Sequence, residues 1–338
     1  MPDPRPGDAP PQTRIDQNPR LSMTVFLREA DVKALLTMDA TLAALEAAFR
    51  EWAAGRASNQ PRRRVTGTTA VLATMSAALP SSGLMGFKAY THDATGAHFW
   101  VALFDAADGR PRALIEADWL GRLRTGAASG LATKYLARRE ASIFTIIGAG
   151  HQALTQVVAV AAVRPLREIR VFSRDAGHRA AFAGQLGTTT AVPVRPMDNL
   201  RDAIEGAEIV TTITSAARPI FPGEWLQAGQ HLNVVGSNYP DRREVDGRTI
   251  ARADLLVADD VDAARLEAGD LVLAEREGLL SWGRVNSLRD LVAGKTGQRQ
   301  PSDVTVFKSV GLAIEDVAAG AAVLELAEPR GIGVRLPD

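Results

Sequence analysis

The sequence predicts an α/β protein with a doubly wound parallel sheet in its second half and an α+β region before it. Three observations carry this. From Ala141 onward short Val/Ile-rich runs ("ASIFTIIGAG", "REIRVFS", "AEIVTTITSA", "HLNVVGSN", "ADLLVADD") alternate with helical segments, and parallel strands need such crossover connections. Between Arg62 and Asp108 the runs "TAVLATMSA", "GLMGFKAYT" and "HFWVALFDA" are divided by turn signals such as "PSSG" and "ADGR", the pattern of an antiparallel or mixed sheet. The first strand after Ala141 then runs straight into the glycine turn "GAGHQA".

Composition sets the outer bounds. At 338 residues, 46% hydrophobic and 23% charged, the chain can bury a large core and divides at typical sizes into about two domains. Lys plus Arg (39) balance Asp plus Glu (39), so no overall field attracts nucleic acid or an anionic membrane, and no basic cluster is interleaved with aromatics. The absence of Cys excludes disulfides, thiolate zinc sites and thiol nucleophiles, and fits a cytoplasmic protein. No metal centre is expected. The longest apolar window, Phe144 to Val163, is broken by His151, Gln152 and two Thr; that suits a strand, a glycine turn and a helix rather than a bilayer span.

Taken in order, residues 1–22 are Pro-rich with almost no large apolar side chains and read as a disordered tail. "MDATLAALEAAFREWAAG" follows, apolar at helical spacing, with Asp39 as the expected N-cap and Gly55 as the closing residue. After the sheet region, "EADWLGRLRTGAASGLATKYLARR" predicts a long helix ending near Arg139, small and apolar on one side and Arg-rich on the other. The last segment, "SDVTVFKSVGLAIEDVAAGAAVLELAEPRG", reads as one strand and a long small-residue helix returning to the first region.

"GAGHQA" matches G-x-G-x-x-G/A through Gly148, Gly150 and Ala153. Such a turn needs glycine to bend sharply, glycine again to let backbone approach a pyrophosphate, and a small residue where helix meets strand. At the end of the second strand an acidic residue would bond a ribose 2′-hydroxyl, but "VFSRDAGHR" places Ser173 and Arg174 there, with Arg179 nearby. These predict charge-assisted bonds to a 2′-phosphate, hence NADP(H) in preference to NAD(H). A lysine inside an apolar run, Lys88 of "GFKAY", is the other anomaly.

The motifs "GFKAY", "LRTGAASGLATKYLAR", "IIGAGHQA", "GSNYPDRREVD" and "FKSVGLAIEDVAAG", in this order and over roughly residues 23 to 330, resemble the ornithine cyclodeaminase/mu-crystallin family. The resemblance implies a Rossmann domain, residues 140–307, inserted in a substrate-binding and dimerisation domain of residues 23–139 plus 308–338, with the active site between them and a homodimer as the assembly. It also implies that Lys88, an arginine of the preceding strand and Arg124 of "LRT" hold a substrate carboxylate. Arg64 matches the strand position, with Arg62 and Arg63 as neighbours in "PRRRV". A buried ammonium is costly without an anion, and a carboxylate substrate would supply one; desolvated beside cations, Lys88 would also lose basicity and move protons near neutral pH. Nucleotide contacts are implied for Thr125, His151, Gln152, Thr214, Ser215, Gly236, Ser237, Lys308 and Ser309. Where the cyclodeaminase carries an aspartate, this chain has Asn238, which cannot act as a base. Asp241 and Glu244 read as loop and helix-cap residues. The leading expectation is an NADPH-dependent reductase of a small cyclic imine carboxylate. The alternatives are a cyclodeaminase or amino-acid dehydrogenase, and a crystallin-like binding protein without turnover.

Overall fold

The computed structural model describes residues 24–93 and 95–337; the expected N-terminal tail lies outside them. Two eight-stranded sheets organise the chain. In the first, the strands Val71–Leu79, Leu84–His92, Ala97–Asp105 and Pro111–Glu116 form an antiparallel run, and Val25–Leu27 adds in parallel beside the last of them. The sheet is therefore mixed. Cross-strand register puts Met75, Lys88 and Val101 side by side, and Ala73, Tyr90 and Phe99 in the next row. Side chains alternate along a strand, so Leu84, Lys88, Tyr90 and His92 share the face that carries the buried Met75, Val101 and Leu103. Lys88 is buried because its parity is that of the core.

The second sheet is parallel throughout, with strands in the order Val194–Pro196, Glu168–Phe172, Ile143–Ile147, Ile209–Thr212, His231–Val234, Thr305–Lys308, Leu255–Ala258 and Val285–Ser287. The chain order reverses at Ile143–Ile147, whose neighbours follow it in opposite directions. Such a switch point leaves a crevice at the carboxyl ends of the strands. After Lys308 the chain leaves this sheet and enters the helix Ala313–Ala327, which packs on the strands of the first sheet.

The helix Asp118–Leu136 is the hinge between the layers. The sequence predicts an Arg-rich side opposite a small apolar one and an end near Arg139; the helix ends at Leu136, and thirteen of its residues are buried, Arg124 among them. Its small residues explain this. A Cβ at Gly126 would overlap the Thr155 carbonyl of the helix Ala153–Val163, and one at Gly130 would lie 3.0 Å from Ala159 Cβ. The two backbones approach where side chains are missing, as close helix packing requires. Thr133 also accepts 3.0 Å from Asn233 Nδ2, whose Oδ1 meets His231 Nε2 at 3.1 Å. Burial holds that imidazole down to about 3, so it is neutral and ties helix to sheet through hydrogen bonds alone.

The helix Met38–Ala53 lies where the apolar spacing placed it, and Gly55 closes it at φ 71°. Its N-cap is Thr37 rather than Asp39: the Thr37 hydroxyl accepts from Ala40 N at 3.3 Å. Asp39 falls inside the first turn, where a negative charge still meets the positive helix end. Among the described residues no helix is long and apolar enough to cross a membrane.

Gly126→Ala should lower unfolding stability by about 1–3 kcal/mol, the cost of overpacking. Gly184→Ala, inside the helix Ala176–Thr189 where a Cβ meets nothing within 4 Å, should raise it by up to about 1 kcal/mol. Urea melts of both variants check the pair; a neutral Gly126→Ala would mean that the two helices are not in backbone contact.

Candidate functional site

A cleft of ≈ 380 Å³ opens at the switch point, between the inner face of the first sheet and the carboxyl ends of the parallel strands. One wall is cationic. Lys88 comes from the strand Leu84–His92, Arg124 from the helix Asp118–Leu136, and Arg62 from the segment just before the strand Arg63–Thr66; all three line the cleft and are buried. Arg64, the residue matched on sequence, sits behind that wall. It donates to Glu267 Oε1 (2.9 Å) and to Asn238 O (3.2 Å) and Oδ1 (3.3 Å), and its guanidinium lies 4.7 Å from the Tyr239 ring centre. Arg63 is exposed and faces away from the cleft lining.

The anion that compensates Lys88 belongs to the protein. Asp316, in the first turn of the helix Ala313–Ala327, accepts from Lys88 Nζ at 2.8 Å and from Arg124 Nε at 3.0 Å through the same oxygen, Oδ1. Glu315 accepts from Arg124 Nη1 at 2.7 Å, and Glu267 pairs with Arg62. Asp316 and Glu315 are the residues that sequence reasoning missed; the signal was an adjacent acidic pair inside the otherwise apolar "GLAIEDVAAG". Room for the ammonium is itself specified: a Cβ at Gly121 would stand 3.0 Å from Lys88 Nζ.

Protonation follows from this packing. Burial, with Arg124 adding repulsion and Asp316 opposing, lowers Lys88 to about 8. Burial raises Glu315 to about 7 against the pull of Arg124. Burial also works against the Arg124 charge, but Asp316 and Glu315 outweigh it and hold the guanidinium above its ordinary range. The wall therefore keeps a permanent cation beside a lysine that can release its proton just above neutrality.

The opposite wall is Gln152, at the end of the glycine turn, with the neighbouring strand ends. Gly148 has φ 120°, and a Cβ there would overlap the Ile213 carbonyl; at Gly150 a Cβ would point into open space. Ala153 starts the helix and Gln152 caps it, with Gln152 Oε1 buried and without a partner among the described residues. A bare, glycine-walled concavity at a helix start fits a dinucleotide pyrophosphate. Thr125, Gln152, Ser215, Gly236, Ser237, Asn238 and Ser309 line the cleft. His151 reaches Asp118 Oδ2 at 3.2 Å instead.

Several expected contacts act from behind. Glu244 is fully buried rather than a loop or cap residue: it accepts from Thr214 N (2.6 Å), Thr214 Oγ1 (2.7 Å), Gly236 N (2.7 Å) and Thr212 Oγ1 (2.8 Å). Lys308, also fully buried, pairs with Asp270 at 2.9 Å and donates to Ser237 O at 2.7 Å. Together they staple the loops after Thr212 and Val234. Asp241 is exposed. Ser173 and Arg174 follow the strand Glu168–Phe172, next to the glycine turn, Arg174 exposed; Arg179 donates to Ser173 O at 2.8 Å and pairs with Asp198, so it braces the turn.

Residues 22–330 match the profile of the ornithine cyclodeaminase/mu-crystallin family. The chain is 39% identical over 238 residues to a Δ1-pyrroline-2-carboxylate reductase of Bacillus cereus, covering 70% of this chain and 73% of that one. Its structure is similar to that of Thermococcus litoralis Δ1-pyrroline-2-carboxylate reductase in complex with NADH and L-proline, with a TM-score of 0.89 at 31% identity over 93% of this chain and 100% of the other. An archaeal alanine dehydrogenase dimer with bound NAD matches with a TM-score of 0.87 at 28% identity, over 93% and 99%.

Asp316→Asn removes the attraction that opposes burial at Lys88, so the lysine should release its proton below its present value of about 8. Side-chain NMR of Lys88 against pH reads this; an unmoved midpoint would show that Asp316 is not its partner. Asp316→Ala leaves two buried cations short of an acceptor and should cost about 3–5 kcal/mol of stability.

Proposed function

We propose, from the premise that this chain belongs to the ornithine cyclodeaminase/mu-crystallin family, that it is a nicotinamide-dependent reductase of small cyclic imine carboxylates, of the pyrroline- and piperideine-2-carboxylate kind. The observation that carries this reading is a buried cationic wall that shares one cleft with Gln152, at the end of the glycine turn, and the ends of the parallel strands. Residues 23–139 with 308–338 form the substrate side in this reading, and 140–307 the nucleotide side.

Arg124, Lys88 and Arg62 receive the substrate carboxylate. Each keeps donors beyond those spent on Asp316, Glu315 and Glu267, since an ammonium has three and a guanidinium five. Pairing the carboxylate with fixed buried donors costs no reorganisation during reaction and orients the C=N bond. When bound, the nicotinamide supplies a hydride to the imine carbon. The imine nitrogen takes up one proton for each hydride received, and Lys88 Nζ holds a proton available near neutrality. Asp316 fixes that ammonium in place, and solvent restores its proton after product leaves.

Asn238 sets the direction of the chemistry. Its Oδ1 is held by Arg64 Nη2 at 3.3 Å, and an amide cannot take up a proton at neutral pH. Cyclodeamination needs a base for the distal amine, whereas reduction of a preformed ring needs none. For the nucleotide, the 148–153 turn takes the pyrophosphate, Thr125, Gln152, Ser215, Gly236, Ser237 and Ser309 surround the rest, and Lys308 shapes the Ser237 loop. Ser173 and Arg174 favour a 2′-phosphate, hence NADPH. A homodimer forms through the outer face of the first sheet, where Met85, Phe87 and Trp100 are each more than a third exposed and Phe87 stacks on Phe104.

The protein should oxidise NADPH with pyrroline- or piperideine-2-carboxylate and form little proline from ornithine with NAD; efficient proline formation would sink the reading. Arg124→Met and Lys88→Met should each lower kcat/KM by about a hundredfold or more, as loss of a desolvated charge partner does, with nucleotide affinity nearly unchanged. kcat/KM should fall as pH rises through about 8, where Lys88 loses its proton, and Lys88→Met should abolish that limb. NADPH should bind more tightly than NADH by about 1–3 kcal/mol, a gap that Arg174→Ala narrows; equal affinities in titrations of the unmutated protein would overturn the cofactor preference.

A further inference from the structure

The largest cavity described, ≈ 950 Å³, lies away from the cleft, at the amino-terminal edge of the parallel sheet. Its lining includes Arg50, Lys134, Arg138, Arg139, Arg164 and Arg299 against a single carboxylate, Glu140. In a chain of zero net charge this is a local surplus, and ion pairing leaves much of it standing. Glu46 takes Arg50 at 2.7 Å and Lys134 at 2.6 Å, and Glu208 takes Arg138 at 2.6 Å. Among the described residues Arg139, Arg164 and Arg299 have no carboxylate within 4.0 Å.

Part of this charge has a structural use. The helices Asp118–Leu136 and Ala153–Val163 both end here, and their negative ends draw cations. Arg164 donates to Thr133 O (2.7 Å), Ala137 O (2.8 Å) and Lys134 O (3.0 Å), and Arg299 to Gly229 O (2.8 Å). Capping does not use up the donors. The Nε atoms of Arg138, Arg164 and Arg299 are buried without a partner among the described residues. Burial, then Arg139 and Arg299, lower Arg164; burial, then Arg138, lower Arg299. The guanidinium groups thus repel one another, and the attraction of Glu140 and Asp303 offsets this only in part.

We propose that this cavity is a second ligand site, for a compact phosphate-bearing polyanion. Guanidinium forks match phosphate oxygens in pairs, and a multivalent anion relieves the mutual repulsion at a cost in desolvation that buried Arg164 and partly buried Arg299 have already met. The lining carries six cations and one aromatic, Tyr135, whose hydroxyl donates to Glu46 at 2.7 Å; the ligand is recognised by its charge.

Calorimetric titration with pyrophosphate, in phosphate-free buffer and with NADPH saturating, tests this. One saturable site is expected, with a rise in Tm that follows pyrophosphate concentration. Arg139→Glu, a change at an exposed residue outside the cleft, should weaken binding by about tenfold or more through charge reversal, while Arg174→Glu at the nucleotide turn leaves it unchanged. No saturable heat, or equal affinity in the Arg139→Glu protein, would overturn the site; loss of binding in Arg174→Glu alone would place the anion at the nucleotide turn instead. Citrate binding more tightly than pyrophosphate would overturn the assignment to phosphate. Failure of NADPH to bind would touch the reductase reading and not this one.

Discussion

One carboxylate oxygen, Asp316 Oδ1, bonds both Lys88 and Arg124, and the architecture around the cleft depends on that bridge. The three residues come from a strand of the first sheet, the hinge helix and the helix that returns from the second sheet. Two buried cations facing one another would repel strongly at low dielectric; a shared anion lets them converge. The first turn of a fifteen-residue helix is a favourable place for it, because the helix end adds positive potential to that of the cations. Glu315, one residue earlier, takes the remaining side of Arg124.

This arrangement answers the cost of charge burial in advance of any ligand. Arg62, Arg64, Lys88 and Arg124 are met by Glu267, Glu315 and Asp316, so the cleft folds with its cations fixed. Near-balance also tunes reactivity: Lys88 rests at about 8 rather than at the ordinary lysine value, and Glu315 at about 7. A stronger anionic set would lock the lysine as a permanent cation, and a weaker one would leave buried charge that folding could not tolerate.

The other wall is governed by backbone rather than charge. Glu244 gathers the amides of Thr214 and Gly236, and Asp259 gathers those of Val310 and Gly311, each at 2.7 Å. Burial raises both carboxyl groups, and these bonds oppose it only in part. Three loops at the strand ends, those after Thr212, Val234 and Lys308, are thereby held by acids from beneath.

How much of this was written in the sequence divides by the range of the interaction. Periodicity determined the helices and strands, because a strand alternates and a helix repeats whatever surrounds it; the glycine turn was legible because Gly148 has a backbone conformation that few other residues adopt. Lys88 was visible as an anomaly, since its parity matches that of the core residues around it. The identity of its partner was not, because Asp316 lies 228 positions away and only the return of the last helix onto the first sheet brings it near. Among three consecutive arginines, local pattern could not choose Arg62 over Arg64; that was decided by where Glu267 and Asn238, more than 170 residues on, came to stand. Thr37 displaced Asp39 as cap over a distance of two residues, a scale at which both side chains satisfy the same rule. Local rules are enforced by neighbours in the chain, whereas the pairing of buried charges is enforced by the fold that surrounds them.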